Sequence, residues 1–153
     1  MAQGRRIPSG SQDAPERTVI AEGVEDALSL AQASAGSVIV AALGLGNLGK
    51  AAVDEGLPVV VFRDGDDPDS PAEKGLAKGV DRLILQGATV AITDTPLGAD
   101  ANALLQSDGT DALLDLVENA GAAGLSVEGH FIRCANLSPL EYQLTRKDLA
   151  KKL

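Results

Sequence analysis

Four short apolar runs, separated by segments with helical periodicity, constrain the fold of this chain more than any other feature. The runs are TVIA, SVIVAAL, PVVVFR and ATVAIT, which begin at residues 18, 37, 58 and 88. Their apolar residues are nearly continuous, which is typical of strands that are buried on both faces. Strands that alternate with helices form a parallel sheet with helices on both sides. The sequence therefore predicts an α/β fold with a mainly parallel four-stranded sheet flanked by helices.

Composition divides the chain into three parts. Residues 1–16 are polar and rich in Gly, Pro and Ser, which indicates a flexible linker or arm. Residues 17–123 hold the alternating pattern and are expected to form one domain. Residues 124–153 are expected to be a C-terminal extension that leads into a further module of a longer protein.

Local signals predict several helices and one ambiguous segment. Helices are expected in VEDALSLAQASA, in GNLGKAAVDEG up to Gly56, from Pro71 onwards, and in DANALLQSDG and TDALLDLVENAG. In the extension, SVEGHFIRCANL is expected to be a strand or small hairpin. Ser138 and Glu141 then form a capping box at the start of a last helix.

Charge and cysteine content exclude some functions. Thirteen basic residues against twenty-two acidic residues leave a net charge of −9, which argues against a broad, passive surface for nucleic acid. An acidic site that reaches phosphates through metal ions remains compatible with this charge. The single cysteine, Cys134, excludes an internal disulfide and a cysteine-rich zinc site. No apolar run reaches membrane-spanning length and nothing resembles a signal peptide, so a cytoplasmic protein without a membrane partner is expected.

The third apolar run ends in a turn that is unusually acidic. The stretch VVVFRDGDDPDSPAEKG, residues 59–75, carries carboxylates at Asp64, Asp66, Asp67 and Asp69. Such carboxylates repel one another unless they are solvated or hold a cation. An EF-hand loop that starts at Asp64 fits badly, because its fifth position is Pro68 and its twelfth is Gly75. A solvated loop and a phosphatase-type nucleophile remain open.

A magnesium site explains the acidic turn better. Asp64 and Asp66 are two residues apart on an extended segment, so their side chains are expected on the same side. Glu22 follows the first apolar run, and the carboxyl ends of parallel strands meet at one edge of the sheet. These three carboxylates are the predicted ligands of Mg²⁺ or Mn²⁺, and Glu22 also offers an acid/base group.

The segment GLGNLG at residues 44–49 gives a competing signal. It matches the glycine fingerprint of NAD domains, and Asp64 follows Gly44 by twenty residues, as a ribose-binding acid does. However, the preceding unit has no role in such a site, one acid does not explain the pair with Asp66, and no substrate domain follows. Alternatively, the glycines permit a tight turn and close packing, or their backbone amides contact phosphates of another nucleotide.

Three motifs together resemble the Toprim domain of topoisomerases, primases, nucleases and recombination proteins. They are Glu22-Gly23 with Glu25-Asp26-Ala27, the strand VVVFRD with Asp64-Gly65-Asp66, and GADANALL at residues 98–105. The resemblance covers about residues 17–120 and is greatest to Toprim domains of phage- and plasmid-type primases and primase–helicases. The Glu-Gly pair alone and the Asp-x-Asp pair alone are weak signals, but the three motifs in this order, each at a strand end at plausible spacing, are fairly specific.

The resemblance implies a Toprim-like fold and a centre for nucleotidyl transfer in DNA replication. Glu22 would act as general acid/base, and Glu22, Asp64 and Asp66 would bind Mg²⁺ or Mn²⁺. The implied supporting residues are Gly23, Asp26, Asp100 and Asn102. The implied partners are a DNA template, nucleoside triphosphates and a helicase or other replication module in the same parent chain, and this chain alone is expected to be inactive.

The chain departs from the family pattern at two places. The segment DPDSPAEKG inserts a proline-bearing loop after the acidic pair, and Arg63 beside Asp64 is unusual. This arginine is expected either to approach a phosphate or to offset charge. The alternative functions are a non-catalytic Toprim module that binds metal or a partner, a Toprim nuclease, and an NAD-binding Rossmann-like domain.

Overall fold

The computed structural model describes residues 5–7 and 14–151 of the chain. Within them, the strands are β1 (Arg5–Ile7), β2 (Arg17–Ala21), β3 (Ser37–Ala41), β4 (Val59–Val61), β5 (Val90–Ile92) and β6 (Gly121–Ala122). The helices are α1 (Val24–Ala33), α2 (Leu45–Leu48), α3 (Pro71–Leu85), α4 (Ala101–Ser107), α5 (Gly109–Glu118), α6 (Val127–Ala135) and α7 (Pro139–Leu149).

The strands form one sheet in the order β1-β3-β2-β4-β5-β6. The four central strands, β3, β2, β4 and β5, run parallel. β1 and β6 pair antiparallel with the outer edges of β3 and β5. The predicted α/β fold with a mainly parallel four-stranded sheet is confirmed, and the two antiparallel strands extend it.

Apolar layers cover both faces of the sheet, because successive side chains of a strand point to opposite faces. Val19 and Ile39 pack on the face that α1 and α5 cover. Ile20 and Val40 pack on the opposite face, against α2 and α3. All four side chains are fully buried, and burial of each contributes about 1.5–3 kcal/mol. This two-sided burial explains why the apolar runs in the sequence are nearly continuous.

The chain changes direction across the sheet at β2. From β2 it passes through α1 to β3, and then returns to β4 on the other side of β2. The carboxyl ends of β2 and β4 therefore border the switch point, where open α/β sheets bind ligands. Residues 22–23 follow β2 and residues 63–66 follow β4, so both acidic segments lie at this position.

Part of the expected linker forms a strand. Residues 5–7 pair with residues 39–41 of β3, although the composition of residues 1–16 indicates a flexible arm. The outer edge of β3 offers unpaired backbone groups, and such an edge binds an additional strand readily. Residues 1–4 and 8–13 lie outside the described residues, and the domain limits at 17–123 and 124–153 stay a prediction.

The expected helix in GNLGKAAVDEG is wrong beyond Leu48. α2 has only four residues and ends at Leu48, with Gly49 as its C-cap. A Cβ atom at Gly49 would lie 2.5 Å from the Cβ atom of Arg82 on α3. The chain therefore needs a glycine to pass α3 at this distance, and it continues without regular structure to β4.

The expected strand or hairpin in SVEGHFIRCANL is also wrong, because this segment forms α6. The Ser126 hydroxyl accepts a 3.1 Å hydrogen bond from the Gly129 backbone N–H and so caps the helix. The carboxylate of Asp81 on α3 accepts a 2.7 Å hydrogen bond from the Ser126 backbone N–H and another from its hydroxyl. The cap is thus fixed by a partner that is distant in sequence. The predicted capping box of Ser138 and Glu141 is present at α7.

Among the described residues, no helix combines the length and the apolar character that crossing a membrane requires.

Candidate active site

Three of the predicted site residues line one cleft at the switch point. Glu22 follows β2, and Asp64 and Asp66 follow β4. Arg63 and Glu73 lie in the same cleft. Its apolar wall comes from the last residue of β4 and the residue after it, from α2 and from α3: Val61, Phe62, Leu45, Leu48, Ala72 and Leu76. The structure therefore brings together the carboxylates that the strand-end rule places at this edge.

Asp64 is the electrostatic centre of this site. Burial, and then the negative charges of Asp26, Glu22, Asp100 and Asp66 in decreasing order of effect, raise its pKa to about 7. Its Oδ1 atom is buried and accepts no hydrogen bond from the residues that the structure describes. A buried carboxylate without a partner is costly. A bound cation would supply the missing partner and stabilise the ionised form.

Asp26 lies in the first turn of α1, beside Asp64. Burial raises its pKa, the negative charge of Asp100 adds to this, and a 3.3 Å hydrogen bond from the Asn102 backbone N–H opposes it. A Cβ atom at Gly23 would lie 3.1 Å from Asp26 Oδ2. Glycine at position 23 therefore leaves space for this carboxylate.

Asp100 and Asn102 have structural roles at the start of α4. The Asp100 carboxylate accepts a 2.6 Å hydrogen bond from the Ala103 backbone N–H and caps the helix. The Asn102 Oδ1 atom accepts a 3.5 Å hydrogen bond from the Ser29 hydroxyl on α1. These contacts join α4 to α1 and fix the negative charge of Asp100 near Asp64.

Gly65 ties the acidic turn to the loop after β5. Its N–H donates a 2.8 Å hydrogen bond to the Ala99 carbonyl, and its own carbonyl accepts a 2.6 Å hydrogen bond from the Gly98 N–H. A Cβ atom at Gly65 would lie 1.9 Å from the carbonyl oxygen of Pro96. Only glycine fits here, so the direction in which Asp64 and Asp66 leave the sheet depends on this residue.

Sequence reasoning did not find the ion pair between Arg63 and Glu73. The Arg63 Nε atom donates to Glu73 Oε1 at 2.7 Å. Glu73 occupies the first turn of α3, where an acidic residue is favoured by the helix dipole in any case. The only available signal was a basic residue before the acidic pair and a glutamate near the next helix start.

The site residues fit a hard divalent cation. No three His, Cys, Asp or Glu side chains in the part of the chain that the structure describes converge into a ready-made metal cage. Mg²⁺ needs only one or two carboxylates, because it retains water and takes further oxygens from phosphates. The unpartnered oxygen of Asp64 and its raised pKa are the features of this structure that such an ion would relieve.

The GLGNLG segment forms a tight turn beside Glu22. Gly44 has a φ of +113°, and its N–H donates a 3.2 Å hydrogen bond to the Glu22 carbonyl. The helix that follows has four residues, too few to present the N-terminus that binds a dinucleotide pyrophosphate. The geometry favours the interpretation that these glycines serve turning and close packing.

The sheet order and the acidic crevice define a doubly wound α/β protein with a group of carboxylates at its switch point. Residues 17–111 match the family model described as Toprim domain. This match covers more than half of the chain, and the chain belongs to the Toprim domain family. No curated protein matches its sequence.

Several solved structures with the same fold are primase cores. The structure described as the DnaG catalytic core has a TM-score of 0.55 and 19% identity, over 93% of this chain and 53% of its own. The E. coli primase catalytic core has a TM-score of 0.53 and 19% identity, over 92% of this chain and 51% of its own. The Aquifex aeolicus primase, with its zinc-binding and RNA polymerase domains, has a TM-score of 0.53 and 19% identity, over 90% of this chain and 30% of its own. The chain thus spans 30% to 53% of the length of these structures, and at this identity the likeness shows the shared fold.

Proposed function

We propose that this chain is the Toprim domain of a DNA primase or primase–helicase and performs metal-dependent nucleotidyl transfer in replication. Membership of the Toprim family and the likeness in fold to primase cores support this proposal. The observation that carries it is the cleft at the switch point, where Glu22, Asp64 and Asp66 meet and Asp64 lacks a partner for a buried oxygen.

In this proposal, Glu22, Asp64 and Asp66 hold Mg²⁺ or Mn²⁺. The ion, when bound, neutralises phosphate charge and polarises the reacting oxygen. Asp64 must lose its proton to act as a ligand, so proton release accompanies binding. Asp26 and Asp100 add negative charge without blocking the cleft, which strengthens the attraction for a cation.

Glu22 is the proposed general acid/base. The reaction is the attack of a ribose 3′-hydroxyl on the α-phosphate of a nucleoside triphosphate, which forms a new phosphorus–oxygen bond, breaks the bond to the β-phosphate and releases pyrophosphate. Glu22 lines the cleft beside the proposed ligands, which supports the proposal that its carboxylate takes the proton of the attacking hydroxyl. The hydrogen bond from Gly44 to the Glu22 carbonyl holds its backbone in place.

The proposed partners are a DNA template and nucleoside triphosphates, with a helicase or other replication module in the same parent chain. One primase of similar fold is described as bound to single-stranded DNA. The net charge of −9 means that this domain needs metal ions or neighbouring basic modules to hold a template. A cytoplasmic location stays a prediction.

Template-dependent incorporation of labelled nucleotides tests this function. The assay compares the isolated chain with a longer protein in which flanking modules are present, with Mn²⁺ or Mg²⁺. We expect incorporation by the longer protein only, and its loss in Asp64→Asn. The matched control is Asp69→Asn, which removes an exposed carboxylate of the same turn and is expected to retain activity.

Two results would contradict the proposal. The first is equal incorporation by the longer wild-type protein and its Asp64→Asn variant. The second is a longer wild-type protein that stays inactive on every template. Strand cleavage that depends on Asp64, measured in parallel without nucleotide incorporation, would instead assign a nuclease.

A further inference from the structure

Arg63 is a cation in a cleft of carboxylates. Among the described residues that line this cleft, it is the one basic side chain, and it lies beside Glu22, Asp64 and Asp66. A site of this kind repels a phosphate unless positive charge is supplied. The position of Arg63 therefore needs an explanation beyond the proposed metal ligands.

The guanidinium of Arg63 is held in one orientation. Its Nε atom donates to Glu73 Oε1 at 2.7 Å, and the two side chains are 26% and 20% exposed. The Arg63 backbone N–H donates a 3.0 Å hydrogen bond to the Thr93 hydroxyl. Glu73 is itself fixed in the first turn of α3, because its N–H donates to the Ser70 hydroxyl at 3.2 Å. The residue that follows β5 and the first turn of α3 thus determine where the arginine points.

Glu73 occupies only one edge of the guanidinium. No other hydrogen bond or ion pair of this side chain is formed within the described residues. The two terminal amino groups are therefore free to donate to another acceptor. A planar fork of donors matches the oxygens of a phosphate group, and such charge-assisted bonds are among the stronger ones in proteins.

We propose that Arg63 binds a phosphate group of the substrate and that Glu73 is the residue that positions it. This inference rests on the proposed function and names a residue outside the predicted metal ligands. The phosphate belongs either to a nucleoside triphosphate or to the backbone of a nucleic-acid strand, since both present the same oxygens. In the competing explanation the ion pair only joins β4 to α3, and Arg63 touches no ligand.

Calorimetric titrations of the whole chain separate these explanations. The probes are Mn²⁺ alone, an α,β-methylene nucleoside triphosphate, and a single-stranded oligonucleotide without terminal phosphates. The two phosphate probes are titrated with Mn²⁺ and again in EDTA. The variants are Arg63→Gln, Arg63→Lys and Glu73→Gln, with Arg133→Gln on exposed α6 as the control for loss of one positive charge. Thermal unfolding verifies that each variant is folded.

We expect Arg63→Gln to weaken one phosphate probe about 10- to 100-fold and not to weaken Mn²⁺, because removal of a positive charge beside the carboxylates favours a cation. The probe that is weakened identifies the source of the phosphate. Arg63→Lys keeps the positive charge but lacks the planar set of donors, so we expect a smaller loss of affinity for the phosphate probe. This variant also provides a test if Arg63→Gln does not fold. Arg133→Gln is expected to bind like wild type.

Glu73→Gln gives the sharpest contrast, because the two explanations predict opposite signs. Removal of a negative charge alone strengthens phosphate binding, whereas release of Arg63 from its position weakens it. Weaker binding supports positioning by Glu73, and stronger binding overturns that role.

The remaining outcomes separate this inference from the proposed function. Three results overturn the role of Arg63: unchanged binding of both phosphate probes by Arg63→Gln, an equal loss of affinity in Arg133→Gln, or no binding of either probe by wild type. In each case, Mn²⁺ binding by wild type still supports the metal centre. The wild-type chain could instead bind a phosphate probe in EDTA but bind no Mn²⁺. If Arg63→Gln then abolishes binding of the probe, the result supports the role of Arg63 and contradicts the metal centre.

Discussion

At the scale of single residues, Asp64 links the site to the stability of the fold. Its pKa rises to about 7 in the folded chain because of burial and neighbouring carboxylates. Between about pH 4 and pH 7 the folded state therefore binds more protons than the unfolded state. The stabilising contribution of this group is complete below about pH 4 and is lost as the pH rises through 7.

Replacement of Asp64 by asparagine is expected to stabilise the metal-free protein at alkaline pH. The gain is about 1–2 kcal/mol near pH 8, reduced from the full pKa shift because the carboxylate is partly exposed. At pH 5 the gain should shrink to about a third of its value at pH 8, because there the carboxyl is ionised in the unfolded chain and still protonated in the folded one. Thermal unfolding in EDTA at both pH values measures this difference.

Asp69→Asn is the control for this pH dependence, because its side chain is exposed on the same turn. It should shift the unfolding temperature little at either pH. The account of Asp64 fails if Asp64→Asn destabilises the metal-free chain at pH 8, or if the gain is as large at pH 5.

Replacement by alanine is expected to destabilise the fold strongly at Gly65 and hardly at all at Gly46. A Cβ atom at Gly65 would lie 1.9 Å from the Pro96 carbonyl oxygen, whereas one at Gly46 would meet nothing within 4 Å. Gly65→Ala is expected to cost at least about 3 kcal/mol and to remove Mn²⁺ binding. Gly46→Ala should stay within about 0.5 kcal/mol of wild type. Urea unfolding measures both, and equal stability of the two variants would contradict the packing described for Gly65.

The positions of single site residues were only partly predictable from the sequence. Glu22, Asp64 and Asp66 were placed at one edge by a general rule of parallel sheets, and the structure puts them in one cleft. The close approach of Asp26 and Asp100 to Asp64 depends on how α1 and α4 pack. The contact between Arg63 and Glu73 depends on the path of α3, which no local pattern determines.

At the scale of secondary-structure elements, local sequence patterns predicted the strands that are buried on both faces and the helices whose caps come from adjacent residues. The central strands were recognised because both of their faces are buried, and α3 and α7 because Ser and Pro mark their first turns. α6 was missed because its cap is completed by Asp81, which is distant in sequence. β6 was missed because a two-residue strand is defined by its partner, β5.

Two serine caps should therefore differ in their effect on stability. Ser126 caps α6 and bonds to Asp81, while Ser138 caps the exposed helix α7. Ser126→Ala is expected to cost about 1–3 kcal/mol in urea unfolding. Ser138→Ala should cost less than about 0.5 kcal/mol, because it frays only an exposed terminus. If Ser138→Ala lowered the free energy of unfolding more than Ser126→Ala does, α6 would not be held to α3 in the way described.

At the scale of the whole molecule, the sheet presents its acidic crevice where the strand order reverses. The fold class followed from the sequence because the apolar runs and intervening helices leave few compact arrangements. The net charge of −9 makes a metal ion the simplest means of bringing phosphates to such a crevice. The central claim is therefore that Glu22, Asp64 and Asp66 form a metal centre.

Calorimetric titration of Mn²⁺ into the whole chain tests that claim most directly. The comparison is between wild type, Asp64→Asn/Asp66→Asn, and the matched control Asp67→Asn/Asp69→Asn, which removes two exposed carboxylates of the same turn. We expect saturable binding by wild type and the control, weaker binding at lower pH because protons compete at Asp64, and none by the first double variant. Mn²⁺ binding that survives Asp64→Asn/Asp66→Asn, or that disappears in the control, would contradict the account.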